Sequence, residues 1–237
     1  MGKAALVTGG GKRLGRAICL ALAERGYDIA VHYNRSRSEA EDTAEAIDDL
    51  GVNSETFQHD LSDTTNSREF IKSVTKVFPG LSLLVNSASL FENVEFEDVT
   101  EEQFDRDFNI NFKSPFFLSR YFSKEPSAEH IVNLLDTRVS QIETEHFVYN
   151  LTKKALRDFT FMAAKALGPK IRVNGICPGP ILPPPGKDKS YLEKISMNTA
   201  LKTPGKPEYV ISALNYLLDN PYVTGECLYV DGGQHLI

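Results

Sequence analysis

Short runs of apolar and β-branched residues alternate along the chain with longer stretches whose apolar positions recur every three or four residues. Lys3 to Thr8 forms the first such run. After Gly9-Gly10-Gly11, Leu14, Ile18 and Leu22 fall at helical spacing until Gly26 closes the stretch. The pattern then predicts strand Asp28 to Tyr33, a polar helix Ser38 to Leu50, strand Ser54 to Gln58, helix Ser67 to Phe78 and strand Leu81 to Val85. Beyond these come helix Glu101 to Phe122, strand Ile131 to Leu135, helix Tyr149 to Leu167, strand Ile171 to Gly175, helix Pro207 to Leu218 and strand Cys227 to Val230. This alternation predicts βαβ units around a doubly wound parallel sheet of about seven strands flanked by helices, an α/β fold. The irregular piece is Cys177 to Pro204, with Pro178, Pro180, the run Pro183-Pro184-Pro185 and a short helix from Tyr191 to Met197. A long loop inside a compact domain is more often functional than idle, and this one is expected to face a ligand rather than pack as a surface excursion.

The chain has 237 residues, and at roughly 150 residues per domain one compact unit spanning 1–237 accommodates them. Apolar residues make up 41% and charged residues 24%, which excludes a disordered, collagenous or disulfide-stapled chain. A net charge of −6 repels nucleic acid and anionic membrane, so any bound anion must meet a local basic pocket. Cys19, Cys177 and Cys227 are scattered and form no metal-binding spacing, so no metal site and no disulfide framework is expected. The chain contains no apolar stretch long enough to span a membrane and no signal-peptide pattern, and a cytoplasmic location is expected.

Thr8-Gly9-Gly10-Gly11-Lys12-Arg13-Leu14-Gly15 lies between a strand and a helix, where glycines let the backbone approach a pyrophosphate and helix N–H groups face it. An acidic residue about 20 positions further on would take the ribose hydroxyls of NAD, and a basic one the extra phosphate of NADP. Here the segment is His32-Tyr33-Asn34-Arg35-Ser36, with no carboxylate. Arg35 and Ser36 offer a guanidinium fork and a hydroxyl to a dianionic phosphate, so NADPH is the expected cofactor.

Tyr149-Asn150-Leu151-Thr152-Lys153 opens a late helix and places a phenol and an ammonium one turn apart on one face. A neighbouring cation favours the phenolate, lowers the phenol pKa from near 10 and makes it a usable proton donor.

With these residues in order, the sequence resembles the short-chain dehydrogenase/reductase family over essentially its whole length. The matches are Thr8-Gly9 with Gly15, Asp60 followed by Leu61 after the third strand, Asn86-Ser87-Ala88 after the fourth, Asn111, Tyr149 with Lys153, Pro178-Gly179, Thr224-Gly225 and Asp231-Gly232-Gly233. The resemblance implies a single-domain Rossmann fold with the cofactor held at Gly9, Lys12, Arg13, Leu14 and Gly15, at His32, Tyr33, Asn34, Arg35 and Ser36, and at Asp60, Leu61, Asn86, Ser87, Ala88, Tyr149, Lys153, Pro178 and Gly179. It implies that Tyr149 is the general acid, that Lys153 holds the nicotinamide ribose and lowers the Tyr149 pKa, and that Asn111 positions a water in the proton relay. It also implies a homotetramer.

Three departures from the family pattern occur together. Arg13 replaces the middle glycine of the turn, Asp136 stands where a catalytic Ser lies 13 residues before the Tyr, and Asn86-Ser87-Ala88-Ser89 precedes Leu90-Phe91. The same set is found in the pteridine and dihydromonapterin reductases, which the chain is similar to. That similarity implies that Arg13 contacts phosphate and substrate, and that Phe91 forms one side of a stack around a pterin bordered by Ser89, Asp136 and Tyr149. Phe91 as a buried core aromatic is the alternative.

Asp136 carries a chemical argument of its own. Reduction of a ketone develops negative charge on oxygen, which a Ser hydroxyl stabilises and an ionised Asp repels. Reduction of C=N requires a proton on nitrogen, and an aminopyrimidine ring presents N–H donors that a carboxylate accepts. Thr137 is one residue off, so its side chain is expected to point to the opposite face. His146 is taken as a loop residue without an acid–base role. The sequence thus predicts an NADPH-dependent pterin reductase acting on a small molecule. A carbonyl or 3-oxoacyl thioester reductase is the alternative, and a non-catalytic dinucleotide sensor is disfavoured by the presence of both Tyr149 and Lys153.

Overall fold

The computed structural model describes residues 2–184 and 186–237; Pro185, within the predicted proline-rich loop, lies outside the described residues. Seven parallel strands, β1 (Ala4–Val7), β2 (Asp28–Tyr33), β3 (Ser54–Gln58), β4 (Leu81–Asn86), β5 (His130–Leu134), β6 (Arg172–Pro178) and β7 (Cys227–Val230), form one sheet in the order β3-β2-β1-β4-β5-β6-β7. Every adjacent pair is parallel. The helices are α1 (Arg13–Glu24), α2 (Arg37–Asp48), α3 (Ser67–Val77), α4 (Glu101–Phe108), α5 (Ser114–Phe122), α6 (Phe147–Leu167), α7 (Lys189–Ser196) and α8 (Pro207–Asp219). This is the doubly wound Rossmann fold that the alternation predicts.

Both faces of the sheet are covered, which is why the central strands are continuous apolar runs rather than alternating ones. Ala5 and Val7 of β1 pack with Ile18 and Leu22 of α1, Ile47 of α2, and Val210 and Leu214 of α8. Ala4 and Leu6 face the other layer with Phe70 and Ile71 of α3, Leu118 and Phe122 of α5, and Ala163 of α6. The strand order reverses between β1 and β4, which opens a crevice at their carboxyl ends, where dinucleotides bind in such sheets.

The single helix expected from Glu101 to Phe122 is interrupted. A π turn at Asn109–Lys113 separates α4 from α5 and contains the fully buried Asn111. A π bulge inserts one residue into the helical ladder, redirects the side chains that follow it and is frequent at functional positions. Strand β6 runs three residues beyond the predicted Gly175, so Cys177 and Pro178 belong to the sheet, with Pro178 opposite Val230 at its end. The three cysteines are buried free thiols. No helix among the described residues is long and apolar enough to cross a membrane.

Candidate active site

The turn after β1 is held from behind. Gly9 has φ +66°, a conformation that glycine adopts without strain, and its N–H donates to Nδ1 of His32 at 3.0 Å. His32 Nε2 reaches the carbonyl of His59 at 3.0 Å. His32 is buried, and burial lowers its pKa to about 4, so the ring is neutral and can accept from Gly9 while donating to His59. A Cβ at Gly15 would lie 2.1 Å from the Gly9 carbonyl oxygen, so only glycine lets α1 start this close to the turn. Thr8 Oγ1 accepts the N–H groups of Ser87 at 2.9 Å and Ala88 at 3.0 Å, tying the β1 turn to the β4 turn across the crevice.

Of the residues expected to line the cofactor, His32, Tyr33 and Leu61 are buried. His32 supports the turn rather than facing the crevice, Tyr33 is a core residue beneath the Arg37 guanidinium, and Leu61 packs in the α3 layer. Asn86 is buried and spends its amide on Asn133 at 2.8 Å, which in turn donates to Thr160 at 2.9 Å. Its Oδ1 is an acceptor without a partner among the described residues. Lys12 is exposed and pairs with Glu39 at 3.2 Å. Leu14 is partly buried against the α1 core. Asn34 and Ser36 are half-buried and Arg35 is exposed at the end of β2. Asp60 lies close by, held below the usual carboxylate range chiefly by the backbone and hydroxyl of Ser62, with smaller contributions from Asn34 and Arg35. No side chain caps α1, which leaves its first N–H groups available to an anion. On the far side of the mouth, Gly179 packs so closely on Asp231 that a Cβ would fall 2.7 Å from the Asp231 Cα.

Arg13 adopts φ +55°, left-handed backbone that glycine takes without strain, which explains why the family's usual residue here is Gly. Its guanidinium donates to the carbonyl of Pro183 at 2.8 Å, linking the glycine turn to the proline-rich loop.

Across the crevice, the end of β5 turns into a short 3-10 segment, Thr137–Ser140, capped by Asp136 through the Arg138 N–H at 2.8 Å. The other carboxylate oxygen of Asp136 accepts the Tyr149 hydroxyl at 2.8 Å. Arg138 Nη1 stands 3.8 Å from that same oxygen. Thr137 points away, donating to Asp231 at 2.5 Å, as its neighbouring position predicts. Lys153 is buried one turn after Tyr149, and its ammonium donates to the Leu134 carbonyl at 2.7 Å. Burial lowers its pKa to about 8, against the charge of Asp136. The sequence argument expects Lys153 to lower the Tyr149 pKa; burial first and the Asp136 charge second hold it well above its ordinary value. Tyr149 is therefore a neutral phenol whose proton already lies on the Asp136 side.

Asn111 holds the loop after β4 rather than standing open to the crevice. Its Oδ1 accepts the Leu90 N–H at 2.8 Å and the Ser89 hydroxyl at 3.2 Å, and its Nδ2 donates to the Leu90 carbonyl at 3.0 Å. The loop so fixed presents Phe91, which is 41% exposed and not a core residue. Phe91 stands edge-on to the Tyr149 ring at 4.8 Å and stacks on His146 at 4.0 Å, with the Arg138 guanidinium 5.4 Å from its centre. Sequence reasoning missed Arg138 and set His146 aside; a His three residues before a helical Tyr carries a spacing signal, whereas Arg138 carries none.

The family described as enoyl-(acyl carrier protein) reductase matches residues 11–235. A solved structure, FolM alternative dihydrofolate reductase 1 from Brucella canis complexed with NADP, is similar with 35% identity and a TM-score of 0.92, covering 99% of this chain and 95% of that one. General stress protein 39 of Bacillus subtilis is 33% identical over 98% of this chain and 84% of its own length. L-rhamnose 1-dehydrogenase (NADP(+)) of Thermoplasma acidophilum is 32% identical over 98% of this chain and 96% of its own. The chain belongs to the short-chain dehydrogenase/reductase family, which makes it an oxidoreductase.

Proposed function

We propose that the protein is an NADPH-dependent pterin reductase that converts a 7,8-dihydropterin into a tetrahydropterin. The observation that carries this reading is the Asp136 carboxylate accepting the Tyr149 hydroxyl at 2.8 Å where the family's reductases of carbonyl groups carry a Ser. The likeness to the Brucella canis alternative dihydrofolate reductase complexed with NADP supports the same reading.

The residues at the crevice fit the cofactor. Gly9 to Gly15 and the uncapped start of α1 suit the pyrophosphate, with Lys12 and Arg13 as nearby cations. Arg35 and Ser36 suit the 2′-phosphate, Asn34 and Asp60 lie beside them, and Ser87, Ala88, Pro178 and Gly179 border the route to Tyr149 and Lys153. NADPH, when bound, supplies the hydride, whose destination is C6 of the pterin.

The chain's own contribution is the proton and the orientation of the ring. Tyr149 holds its proton at neutral pH, because burial and the adjacent carboxylate both oppose the phenolate. Asp136, an acceptor tied to the Arg138 N–H, receives the N–H donors of an aminopyrimidine edge and brings the Tyr149 proton toward N5. The same negative charge opposes an alkoxide developing from a ketone. Lys153 supplies a buried positive charge one helical turn from the phenol, beside the ribose position. Arg13, Ser89 and Phe91 border the substrate, and Asn111 fixes the loop that carries Ser89 and Phe91.

The test is NADPH oxidation by the purified protein with dihydrobiopterin, dihydromonapterin, dihydrofolate and an acetoacetyl thioester in parallel, for the wild type and Asp136→Ser. Turnover of a pterin by the wild type and its loss in the variant is the expected result. Turnover of the thioester alone would overturn the proposal and make the protein a carbonyl reductase.

A further inference from the structure

His146 is the least explained residue near the site. It lies outside the hydrogen-bonded pair of Tyr149 and Asp136, yet it adopts φ +52°, a left-handed conformation that is uncommon outside glycine and Asn. Three contacts fix it there. Its backbone N–H donates to Asn93 Oδ1 at 3.1 Å, its Nδ1 lies 2.9 Å from the Glu92 carbonyl, and its own carbonyl accepts the Asn150 N–H at 2.9 Å in the first turn of α6. The ring then stacks on Phe91 at 4.0 Å with 19° between the planes. Glu92, next in the chain, is itself held by Arg106 of α4.

We infer that His146 is a positioning residue that sets the plane of Phe91 and so gives the enzyme its preference for a flat heteroaromatic ring; the substrate class rests on the proposed pterin reduction. Phe91 belongs to a loop whose backbone is held at Ser87 and Ala88 by Thr8, at Leu90 by Asn111 and at Glu92 by His146 itself. Beyond Leu90 its ring has an edge contact with Tyr149 at 4.8 Å, and it is partly exposed. A side chain so placed would rotate about its own bonds unless neighbours confined it; the Arg138 guanidinium lies 5.4 Å from the ring centre, and His146 is the neighbour stacked parallel to the ring that sets its plane. Because His146 is joined to the start of α6, it transmits the position of the Tyr149 helix to the Phe91 ring. Tyr149 and the aromatic wall therefore move as one unit, which keeps a ring lying along Phe91 in register with the proton donor.

The experiment compares wild type, His146→Asn and His146→Phe in steady-state NADPH oxidation with the dihydropterin turned over fastest, and measures thermal stability in parallel. Asn accepts the left-handed backbone but removes the ring, whereas Phe keeps a ring able to stack. From the usual strength of one aromatic stack, His146→Asn is expected to raise KM for the pterin by about three- to tenfold. KM for NADPH stays unchanged, and His146→Phe restores the pterin value. A wild-type pterin KM in His146→Asn would overturn the inference while leaving pterin reduction intact. So would a His146→Phe enzyme that keeps wild-type thermal stability yet is as impaired as His146→Asn, because the Glu92 contact rather than the ring would then be the cause. If no pterin is turned over by any of the three proteins, the functional proposal fails and takes this inference with it.

Discussion

Mild acid should destabilise this protein through two buried histidines, one of which also supports the glycine turn. His32 and His130 are both nearly inaccessible, and burial lowers their pKa values to about 4 and about 3. In the unfolded chain a histidine titrates near 6.5. The folded values lie below the unfolded ones, so on acidification the unfolded state takes up protons that the folded state refuses, and stability falls as pH drops below about 6.5. Each unit below that value costs about 1.4 kcal/mol per histidine, so that His32 alone removes about 2 kcal/mol between about pH 7.5 and about pH 5, and the loss levels off near about 3 kcal/mol below its folded pKa. His130 contributes a similar about 2 kcal/mol over the same interval, continuing further into acid. Asp60, Asp63 and Asp231, whose pKa values are lowered, act with the same sign only below about pH 4, where unfolded carboxylates begin to protonate. Urea unfolding of wild type and His32→Gln at a series of pH values isolates the His32 part, because a Gln amide can accept from Gly9 and donate to His59 without titrating. The wild type should lose about 4 kcal/mol between about pH 7.5 and about pH 5, and the variant about half of that. Identical pH dependence in the two proteins would refute the assignment of a neutral, proton-refusing His32. Because the neutral Nδ1 holds Gly9 in the turn, NADPH affinity should weaken through His32 only as the pH nears its folded value of about 4, in wild type and not in the variant.

Three further outcomes follow from the site. Activity should fall on the alkaline side as Lys153 loses its proton near its pKa of about 8, and in Asp136→Asn this limb should move to lower pH, since the Asp136 charge supports the ammonium; pH profiles of kcat/KM check both. Gly15→Ala places a Cβ 2.1 Å from the Gly9 carbonyl oxygen, so the turn must shift. A loss of about 1–3 kcal/mol of stability with weakened NADPH binding is expected, read by unfolding and fluorescence titration. Arg35→Asp should weaken NADPH far more than NADH by direct titration, and equal loss for both would remove Arg35 from the 2′-phosphate.

The fold was legible because each strand–helix pair carries its own period. Gly26 and Gly51 end their helices in the left-handed conformation that the C-terminal glycine signal implies, with φ of +82° and +86°. The π turn was not legible. Periodicity over Glu101 to Phe122 is satisfied by a straight helix, and the bulge follows from burying Asn111 against the Leu90 backbone, a contact between segments 21 residues apart. Nor was the burial at the end of β2 legible. A central strand in a sheet covered on both faces buries successive side chains whichever way they point, so His32 and Tyr33 are both covered. Only Asn34 and the residues after it, beyond the strand end, emerge at the surface.

The chemistry divides along the same line between local and distant contacts. The pairing of Tyr149 with Lys153 and the spacing back to Asp136 are local or fixed by one strand–helix connection, and the structure brings all three together. What spacing could not supply was the sign of the perturbation on Tyr149. Proximity to Lys153 argues for a lowered pKa, but that argument assumes solvent-like surroundings in which only the nearest charge matters. Lys153 is itself buried and directed at the Leu134 carbonyl, whereas the Asp136 carboxylate receives the phenolic proton directly. In a buried site the nearer, hydrogen-bonded charge and the loss of water outweigh the more distant ammonium, so the phenol stays neutral. A Ser at position 136 would place no charge beside the phenol. The exchange of Ser for Asp therefore replaces a hydroxyl donor with a carboxylate acceptor, which suits a ring that presents N–H groups more than stabilisation of an oxyanion.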